Sequence, residues 1–338
     1  MSAPITVIIL TFNEEANLAA ALDSVKDWAA EVFVVDSYST DRTVDIALKY
    51  EGSGVRVVQH AFENYSAQWN WALERLRITQ PWIFKLDADE RASQEFRDEV
   101  TGRIASSSAE AFIIHWRLVF MGRWLKWGGL YRNGHLRIWR TGHGHFERRD
   151  VNEHLVVDGP VAEIAARLDH HDYKSIGHWL DKHNRYSAME VRSLLQGNRF
   201  GDIQPRLSGR PDERRMWLRG LYYRLPGRPL LYFLYRYLVR LGLLDGRAGF
   251  RFAFLHASFL YWLDLKLAEA RVTGELPEVI WPPRGTPHPA VADSELQRLV
   301  DRRTAEASSA AARVSDVPLD EVLAPMERIT VVHTGGEC

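Results

Sequence analysis

Along the first quarter of the chain, the pattern of hydrophobic and polar residues alternates between strand-like and helix-like stretches. Short apolar runs, typical of buried strands, are each followed by a stretch in which apolar residues recur three or four positions apart, the spacing of one helix face. Strands that alternate with helices predict right-handed crossovers and a mainly parallel sheet, which is an α/β fold. The apolar runs lie at residues 5–10, 32–35, 55–58 and 82–86.

Polar side chains follow these runs at the points where the predicted strands end. Thr11 and Asn13 come after the first run, Asp36 after the second, and Asp87 and Asp89 after the last. Ligands of open α/β sheets gather at the carboxyl ends of the strands, so we expect a binding site at this edge. Asn13 is also a suitable residue to cap the helix that follows it.

The stretch FKLDADER, residues 84–91, places Asp87, Asp89 and Glu90 within four positions. Like charges about 4 Å apart repel by roughly 4 kcal/mol at an effective dielectric constant near 20, so the cluster needs a positive partner. Oxygen ligands spaced as Asp-x-Asp suit Mg²⁺ or Mn²⁺, which complete their shells with water and phosphate. Such a metal would neutralise a diphosphate leaving group. The alternative is a solvated acidic turn in which Glu90 starts a helix.

Composition divides the chain into three predicted regions. Residues 1–200 carry the alternating strand and helix signals and form the predicted α/β domain. Residues 201–275 are rich in arginine, leucine and aromatic residues, which predicts a C-terminal α-helical extension. Residues 276–338 form a loosely specified tail with one predicted surface helix in ADSELQRLVDRRTAEASSAAARV.

The helical region is strongly basic in a nearly neutral chain. Residues 201–251 contain eleven arginines, no lysine and four acidic residues, a local formal charge of +7 against −1 for the whole chain. Because leucines and aromatics separate the arginines, an anionic membrane surface or a phosphorylated lipid acceptor explains the composition best. The stretch Leu230–Leu244 is too short to span a bilayer, so we expect Arg236 and Arg240 to reach lipid phosphates from the interface. The alternatives are nucleic-acid binding, for which no motif is present, and a packed helical subdomain with solvated arginines.

The cysteine content and the N-terminal sequence allow a prediction of the cellular compartment. The single cysteine, Cys338, permits no intramolecular disulfide, which fits a reducing compartment. The N-terminus lacks a basic leader, and no run of about 20 uncharged apolar residues occurs. We therefore expect a cytoplasmic protein that associates peripherally, if at all, with the inner face of the cytoplasmic membrane.

Three motifs occur in a specific order: ITVIILTFNEEANLAAALDSV, VFVVDSYSTDRT and WIFKLDADE. In this order they resemble the family 2 glycosyltransferases, which have the GT-A fold, over at least residues 4–200. The segments MGRWLKWGG, VNEHL and LGLLDGRAGF resemble the bacterial subgroup that includes lipopolysaccharide-core glucosyltransferases. The resemblance implies an inverting, metal-dependent enzyme that moves a sugar from a nucleotide diphosphosugar, with a UDP-sugar favoured, to a bacterial envelope glycan or glycolipid.

The resemblance also assigns the nucleoside end of the donor site. Thr11, Asn13 and Glu14 would line the nucleoside pocket, and Asp36 would accept a hydrogen bond from a ring N–H of the base. Asp41 would either hold this loop or cap the helix after it. The family's common pattern VVDDGSTDGT reads VVDSYSTDRT here, with serine and tyrosine in place of aspartate and glycine. No role of a second aspartate is therefore carried over.

At the phosphate end, the resemblance implies a metal and positive charge. Asp87 would contact the ribose or a metal-bound water, and Asp89 would bind Mg²⁺ or Mn²⁺ directly. His170 would complete the metal or diphosphate site, unless it is an ordinary packed or surface histidine. Arg132 and Arg137 would face the leaving diphosphate, with a solvated strand face as the alternative.

Transfer with inversion requires a carboxylate that takes the acceptor's proton while the diphosphate leaves from the opposite face of the sugar. Glu153 in VNEHL matches the family's position for this base. Glu147 and Asp150 are neighbouring carboxylates that do not match the motif.

Three other functions remain as alternatives. The first is a transferase of the same fold that modifies protein side chains. The second is a non-catalytic nucleotide-sugar-binding homologue, against which Asp87, Asp89 and Glu153 argue. The third is a nucleotidyltransferase that makes the nucleotide sugar, and the lack of a glycine-rich phosphate loop near the N-terminus argues against it.

Overall fold

The computed structural model describes residues 2–129, 134–147, 155–196 and 225–314, with a few positions between 206 and 221, and it describes side chains to residue 308. Contacts divide the chain into two compact units. Both units combine segments that are distant in sequence, and the predicted domain boundaries near residues 200 and 275 stay a prediction. The first unit lies within residues 1–114, 135–168 and 283–334, and the second lies mainly within 115–134 and 169–282.

The first unit is built on a mixed sheet with a parallel core. Strands of the described residues lie at Ala3–Thr11 (β1), Ala29–Asp36 (β2), Val55–Gln59 (β3), Trp82–Lys85 (β4), Glu90–Arg91 (β5), Ala111–Phe120 (β6), Arg123–Trp124 (β7), Gly134–Arg140 (β8), Gly144–Phe146 (β9), Leu155–Val157 (β10) and Val161–His171 (β11). The sheet order is β3-β2-β1-β4-β8-β6-β11-β5, in which β1 pairs parallel with β2 and β4, β2 pairs parallel with β3, and β8 is antiparallel to β4. The predicted α/β fold, with a Rossmann-like sheet that has a parallel core, is confirmed.

The predicted alternation of strands with helices is also confirmed. The described helices lie at Leu18–Asp23 (α1), Thr43–Leu48 (α2), Tyr65–Arg75 (α3), Gln94–Ser106 (α4), Ile176–Leu195 (α5), Arg228–Leu234 (α6), Gly246–Thr273 (α7), Pro289–Ala292 (α8) and Glu295–Val314 (α9). Three of the described helix starts are capped by side chains that accept from backbone N–H groups. Asn64 accepts from Ala67 at the start of α3, Ser93 from Phe96 at the start of α4, and Ser175 from His178 at the start of α5.

Burial explains why polar side chains collect at the strand ends. Ile5, Val7, Ile8 and Ile9 of β1 are fully buried, as expected for a parallel strand with helices on both faces. On one side the core is aromatic, and Trp69 of α3 lies against other rings of the first unit. Residues 7–9 of β1 and 32–35 of β2 are therefore apolar, and polar side chains follow them at the carboxyl ends.

The predicted helix cap at Asn13 is wrong. Helix α1 begins at Leu18, with Asn17 at the cap position and no side-chain cap bond. Asn13 has a positive φ of 54°, and its side-chain oxygen accepts from the backbone N–H of Thr40 at 2.8 Å. The side chain is therefore used across the loops, because the residues between Asn13 and the helix form a turn.

The predicted helix in the C-terminal tail is confirmed, and one of its faces is packed. Helix α9 buries Gln297 and Val300. Its Thr304 hydroxyl accepts from Trp71 Nε1 of α3 at 3.3 Å. Part of the segment predicted as a loosely specified tail therefore belongs to the first unit.

The second unit is mainly helical, which confirms the predicted helical region. Helices α5 and α7 are joined by Lys266, whose ammonium donates to the Asn184 backbone carbonyl at 2.6 Å and to the Ser187 hydroxyl at 2.8 Å. Arg228 is buried and pairs with Asp264 of α7. Among the described helices, none combines the length and the hydropathy that a membrane span requires.

Candidate active site

The last residues of β1, β2 and β3 form one row across the sheet. Thr11 lies beside Asp36, and Asp36 lies beside Gln59 in the strand register. The fully buried Asp36 carboxylate accepts from the Thr11 hydroxyl at 3.1 Å and from Gln59 Nε2 at 2.9 Å. It also accepts from the Ser39 backbone N–H at 3.0 Å and from the Ser39 hydroxyl. Four donors match the four lone-pair positions of a carboxylate, so Asp36 holds three strand ends and the loop after β2 together.

These contacts give Asp36 a positioning role. A ring N–H of a base would have to displace one of the four donors, and the carboxylate has no exposed surface. The predicted contact between Asp36 and the base stays a prediction. What the geometry shows is that Asp36 holds the loop after β2 through Ser39.

The loop after β1 is bonded directly to the loop after β2. The backbone N–H of Asn13 donates to the Ser39 hydroxyl at 2.8 Å, and that of Glu14 donates to the Thr43 hydroxyl at 2.7 Å. Asp41 accepts from the Thr43 backbone N–H at 2.9 Å and from the Glu15 N–H at 3.1 Å, so it holds the two loops together, while the cap position of α2 is Arg42, which has no side-chain cap bond. The residues predicted to line a nucleoside pocket therefore lie together at one strand edge.

The acidic cluster contains its own positive partner. Arg137 of β8 is 7 % exposed, and its Nη2 lies 2.9 Å from Asp87 Oδ2 and 3.2 Å from Glu90 Oε1. The fully buried Glu90 also accepts from the Asp87 backbone N–H at 2.9 Å. Arg137 was predicted to face a diphosphate; in the described contacts it bridges two carboxylates of the cluster.

The Arg137 bridge lowers the pKa of the Asp87 carboxyl. Burial opposes the charged form of Asp87, but the charges of Arg137 and Lys85 outweigh burial and hold the pKa of that carboxyl below its ordinary value. The nearby charge of Asp89 acts in the opposite direction and raises that pKa. Asp87 is therefore kept as a carboxylate at neutral pH, which a metal ligand requires.

The pair Asp87 and Asp89 fits a divalent metal in its usual mode. Mg²⁺ is commonly held by one or two carboxylates, with substrate phosphates and waters completing the shell. Both aspartates are half-exposed at the strand end. Within the described residues no group of three or more His, Cys, Asp or Glu side chains could hold a metal ion.

Other predicted site residues are not brought together by the described structure. Arg132, Glu153 and the competing Asp150 lie outside the described residues. His170 lies near the end of β11, in the second unit. Their predicted roles stay predictions.

Sequence reasoning missed Gln59, which ends β3 as Asp36 ends β2, so its place at a strand end could have indicated it. Glu90 was placed in the acidic cluster without a separate role, and the structure shows that it is buried, pairs with Arg137 and accepts from the backbone of the acidic turn. No local signal pairs Glu90 with Arg137, because the arginine comes from an antiparallel strand far along the chain.

Comparison with known proteins shows two kinds of similarity. Residues 6–160 match the model of the family described as glycosyl transferase family 2. The lipopolysaccharide core biosynthesis glycosyltransferase LpsC of Rhizobium meliloti (strain 1021) is 28 % identical over 273 residues, which cover 76 % of this chain and 92 % of LpsC. An uncharacterized glycosyltransferase of Rickettsia felis (strain ATCC VR-1525 / URRWXCal2) is 39 % identical over 213 residues, which cover 59 % of this chain and 74 % of that protein.

Among solved structures, S. aureus TarS 1–349 in complex with UDP is 17 % identical, with a TM-score of 0.41. The similarity covers 81 % of this chain and 92 % of that one. A similarity at this level assigns no ligand and no residue role.

The Arg137 bridge gives a first prediction. Arg137→Met should lower the free energy of unfolding by roughly 3 kcal/mol, because it removes the guanidinium that bridges the Asp87 and Glu90 carboxylates. The lowered pKa of Asp87 gives the sign of the pH dependence. The ionised Asp87 carboxylate stabilises the fold above the ordinary carboxyl pKa, and this contribution is lost as pH falls through the lowered pKa. Urea unfolding at several pH values should therefore show the largest deficit near neutral pH and a smaller one below about pH 4.

The matched control is Arg140→Met on the same strand. Arg140 pairs with Glu110 at 3.3 Å and is partly exposed, so its loss should cost under about 1 kcal/mol. Equal losses in the two variants would contradict the role given to Arg137.

Proposed function

Because the chain belongs to glycosyl transferase family 2 and is therefore a glycosyltransferase, we propose that it moves a sugar, with inversion, from a nucleotide diphosphosugar to a bacterial envelope glycan or glycolipid. A UDP-sugar is the favoured donor, and Mg²⁺ or Mn²⁺ is the proposed cofactor. The observation that carries the proposal is the edge of the parallel sheet, where the Asp36 loop and the Asp87–Asp89 turn follow β2 and β4, the two strands that flank β1. That edge provides a nucleoside end and a phosphate end side by side.

At the phosphate end, Asp87 and Asp89 would hold the metal. When bound, the metal would neutralise the charge that develops on the diphosphate as it leaves. Arg137 keeps Asp87 ionised and fixes its orientation, and Glu90 fixes the turn through the Asp87 N–H. The protein's contribution at this end is therefore a preorganised pair of carboxylates.

At the reacting carbon, the proposed base is Glu153. Its carboxylate would take the proton of the acceptor hydroxyl as that oxygen attacks the sugar from the face opposite the diphosphate. The donor's bond to the diphosphate breaks as the new bond forms, so no covalent intermediate with the enzyme is needed. The support for Glu153 is its match to the family motif, because the residue lies outside the described structure.

The proposed acceptor class follows from a relative and from one surface. LpsC is named for lipopolysaccharide core biosynthesis. In the second unit, large apolar side chains are exposed along residues 230–244, including Leu230, Leu238 and Val239. We call this segment the apolar ridge. A peripheral enzyme that acts on a membrane-anchored glycan would use such a surface.

Charge around the apolar ridge favours an anionic membrane surface. Over residues 228–262 the exposed charged side chains are arginines, among them Arg247 and Arg251, and Asp245 is buried where it accepts from backbone N–H groups. Arg236, which was predicted to reach lipid phosphates, is instead buried beneath the rings of Tyr232 and Phe252. It is a core residue of the second unit because its neighbours shield it with aromatic rings.

The metal site gives a second prediction. Asp89→Asn should remove the enhancement of UDP affinity by Mn²⁺, measured by calorimetric titration, because a neutral amide is a poor ligand for a hard cation. The fold should persist, since the substitution removes a like charge beside Asp87. Asp98→Asn, an exposed aspartate on α4, is the control and should titrate as wild type. Metal-enhanced UDP binding that survives in Asp89→Asn would rule out this metal site.

The base gives a third prediction. Glu153→Gln keeps the side-chain shape but cannot accept a proton, so turnover should fall by roughly 100-fold or more. Donor affinity should stay near wild type, because the lost interaction acts in the transition state. Glu147→Gln serves as the matched control and should retain turnover. If the losses are reversed between these variants, the base is Glu147.

Membrane attachment gives a fourth prediction. Wild-type protein should sediment with liposomes that contain anionic lipid and should release in high salt, because arginines contribute about 1 kcal/mol each near an anionic surface. Leu238→Ser with Val239→Ser should weaken sedimentation by removing apolar area from the ridge. Val272→Ser changes an exposed valine elsewhere on the second unit and should have no effect. Equal binding to neutral liposomes, or none at low salt, would contradict the proposal.

A further inference from the structure

Part of the first unit lies outside the segment that matches the family and contacts the proposed nucleoside end. We call residues 283–300 the C-terminal strap. The family match ends at residue 160, yet the strap belongs to the same compact unit as β1, β2 and β3. Its hydrogen bonds include those to Gln59, the last residue of β3, and to Tyr38 in the loop after β2.

The first contact closes the outer edge of the sheet. Strand β3 is the terminal strand in the sheet order, so one side of its backbone needs partners. The amide side chain of Gln297 supplies them: its Oε1 accepts from the Gln59 backbone N–H at 2.8 Å, and its Nε2 donates to the Gln59 carbonyl at 3.0 Å. Gln297 therefore replaces a neighbouring strand at one residue, and both glutamines are buried.

The same glutamine connects the strap to Asp36. Gln59 Nε2 donates to the Asp36 carboxylate, and Gln59 Oε1 accepts from the His288 backbone N–H at 2.7 Å. All the polar groups of Gln59 are thus bonded either to the strap or to Asp36. A displacement of the strap would be transmitted to the carboxylate that holds the loop after β2.

The second contact fixes that loop directly. The backbone N–H of Gly285 donates to the Tyr38 carbonyl at 2.8 Å, and a Cβ at position 285 would lie 2.8 Å from the Ser39 carbonyl oxygen. Tyr38 has a φ of 59°, in the left-handed region that a residue with a side chain rarely occupies. The family pattern has glycine at this position. Here a tyrosine is held in the glycine conformation, and the strap contacts its carbonyl.

We propose that the C-terminal strap is a positioning element of the donor site: Gln297 and Gly285 hold the loop of residues 36–41 in the conformation that binds the nucleoside of the donor. The inference rests on the proposed function for the identity of the ligand. It adds that donor affinity depends on residues outside the family match, whose described hydrogen bonds include those to Gln59 and to the Tyr38 carbonyl.

Two variants test the proposal without removing a loop residue. Gly285→Ala adds one methyl group at the close approach to Ser39 and removes no hydrogen-bonding group. Gln297→Glu keeps the size and the acceptor for the Gln59 N–H but cannot donate to the Gln59 carbonyl. Gly102→Ala on α4 is the control, since a Cβ there meets nothing within 4 Å.

Two measurements report separately on the conformation of the loop after β2 and on donor binding. Hydrogen–deuterium exchange of the amides of residues 37–41 should speed up in Gly285→Ala and Gln297→Glu, while exchange in α4 stays as in wild type. Affinity for UDP with Mn²⁺ should fall about tenfold in both, which corresponds to about 1.4 kcal/mol. At saturating donor, turnover should remain within about threefold of wild type, because the strap acts on binding.

The outcomes distinguish the inference from the proposed function. If wild-type protein binds no nucleoside diphosphate, the proposed function fails, and the exchange data still report on the strap. If wild type binds UDP and the strap variants bind it equally well, the strap does not position the donor site and the inference is overturned. A loss of turnover at saturating donor without a loss of affinity would also overturn it. Should one variant fail to fold, the other carries the same test.

Discussion

The buried carboxylate of Asp36 is the constraint on which the rest of the site depends. A charge removed from water is tolerated only when hydrogen bonds replace its hydration. Asp36 has no exposed surface, and its donors come from β1, from β3 and from the loop that follows β2. Three strands must therefore end in register, as they do at Thr11, Asp36 and Gln59. The need to satisfy one carboxylate thus aligns the edge at which the proposed donor site lies.

A second acidic group is stabilised in a different way. The cluster of Asp87, Asp89 and Glu90 is held by the charge of Arg137, which comes from an antiparallel strand added beside the parallel core. The parallel core supplies strand ends, and the antiparallel strand supplies the counter-charge. The mixed order of the sheet is therefore part of the chemistry of the site, because a purely parallel sheet would not place β8 beside the acidic turn.

Much of this could be predicted from the sequence, because the relevant signals are local. The apolar runs predict the central strands, and the residues directly after those runs predict which side chains share the edge. The residues that were misread act over long distances. Asn13 looks like a helix cap, but its partner is Thr40 on another loop. Arg236 looks like a surface arginine, but aromatic rings on two helical segments cover it. Gln297 acts on Gln59 across 238 positions, which no periodicity can reveal.

The two parts of this sheet edge, around Asp36 and around the acidic cluster, differ in how far their carboxylates are satisfied by protein groups. The Asp36 end has as many donors as its carboxylate has lone-pair positions, so it is a closed structural element. At the other end, one guanidinium bridges two of three carboxylates, and Asp89 stays half-exposed. Such an end attracts cations and repels a bare diphosphate. Under the proposed function, the donor's phosphates would therefore be bound together with the divalent metal, while the rigid Asp36 end would receive the nucleoside with little rearrangement.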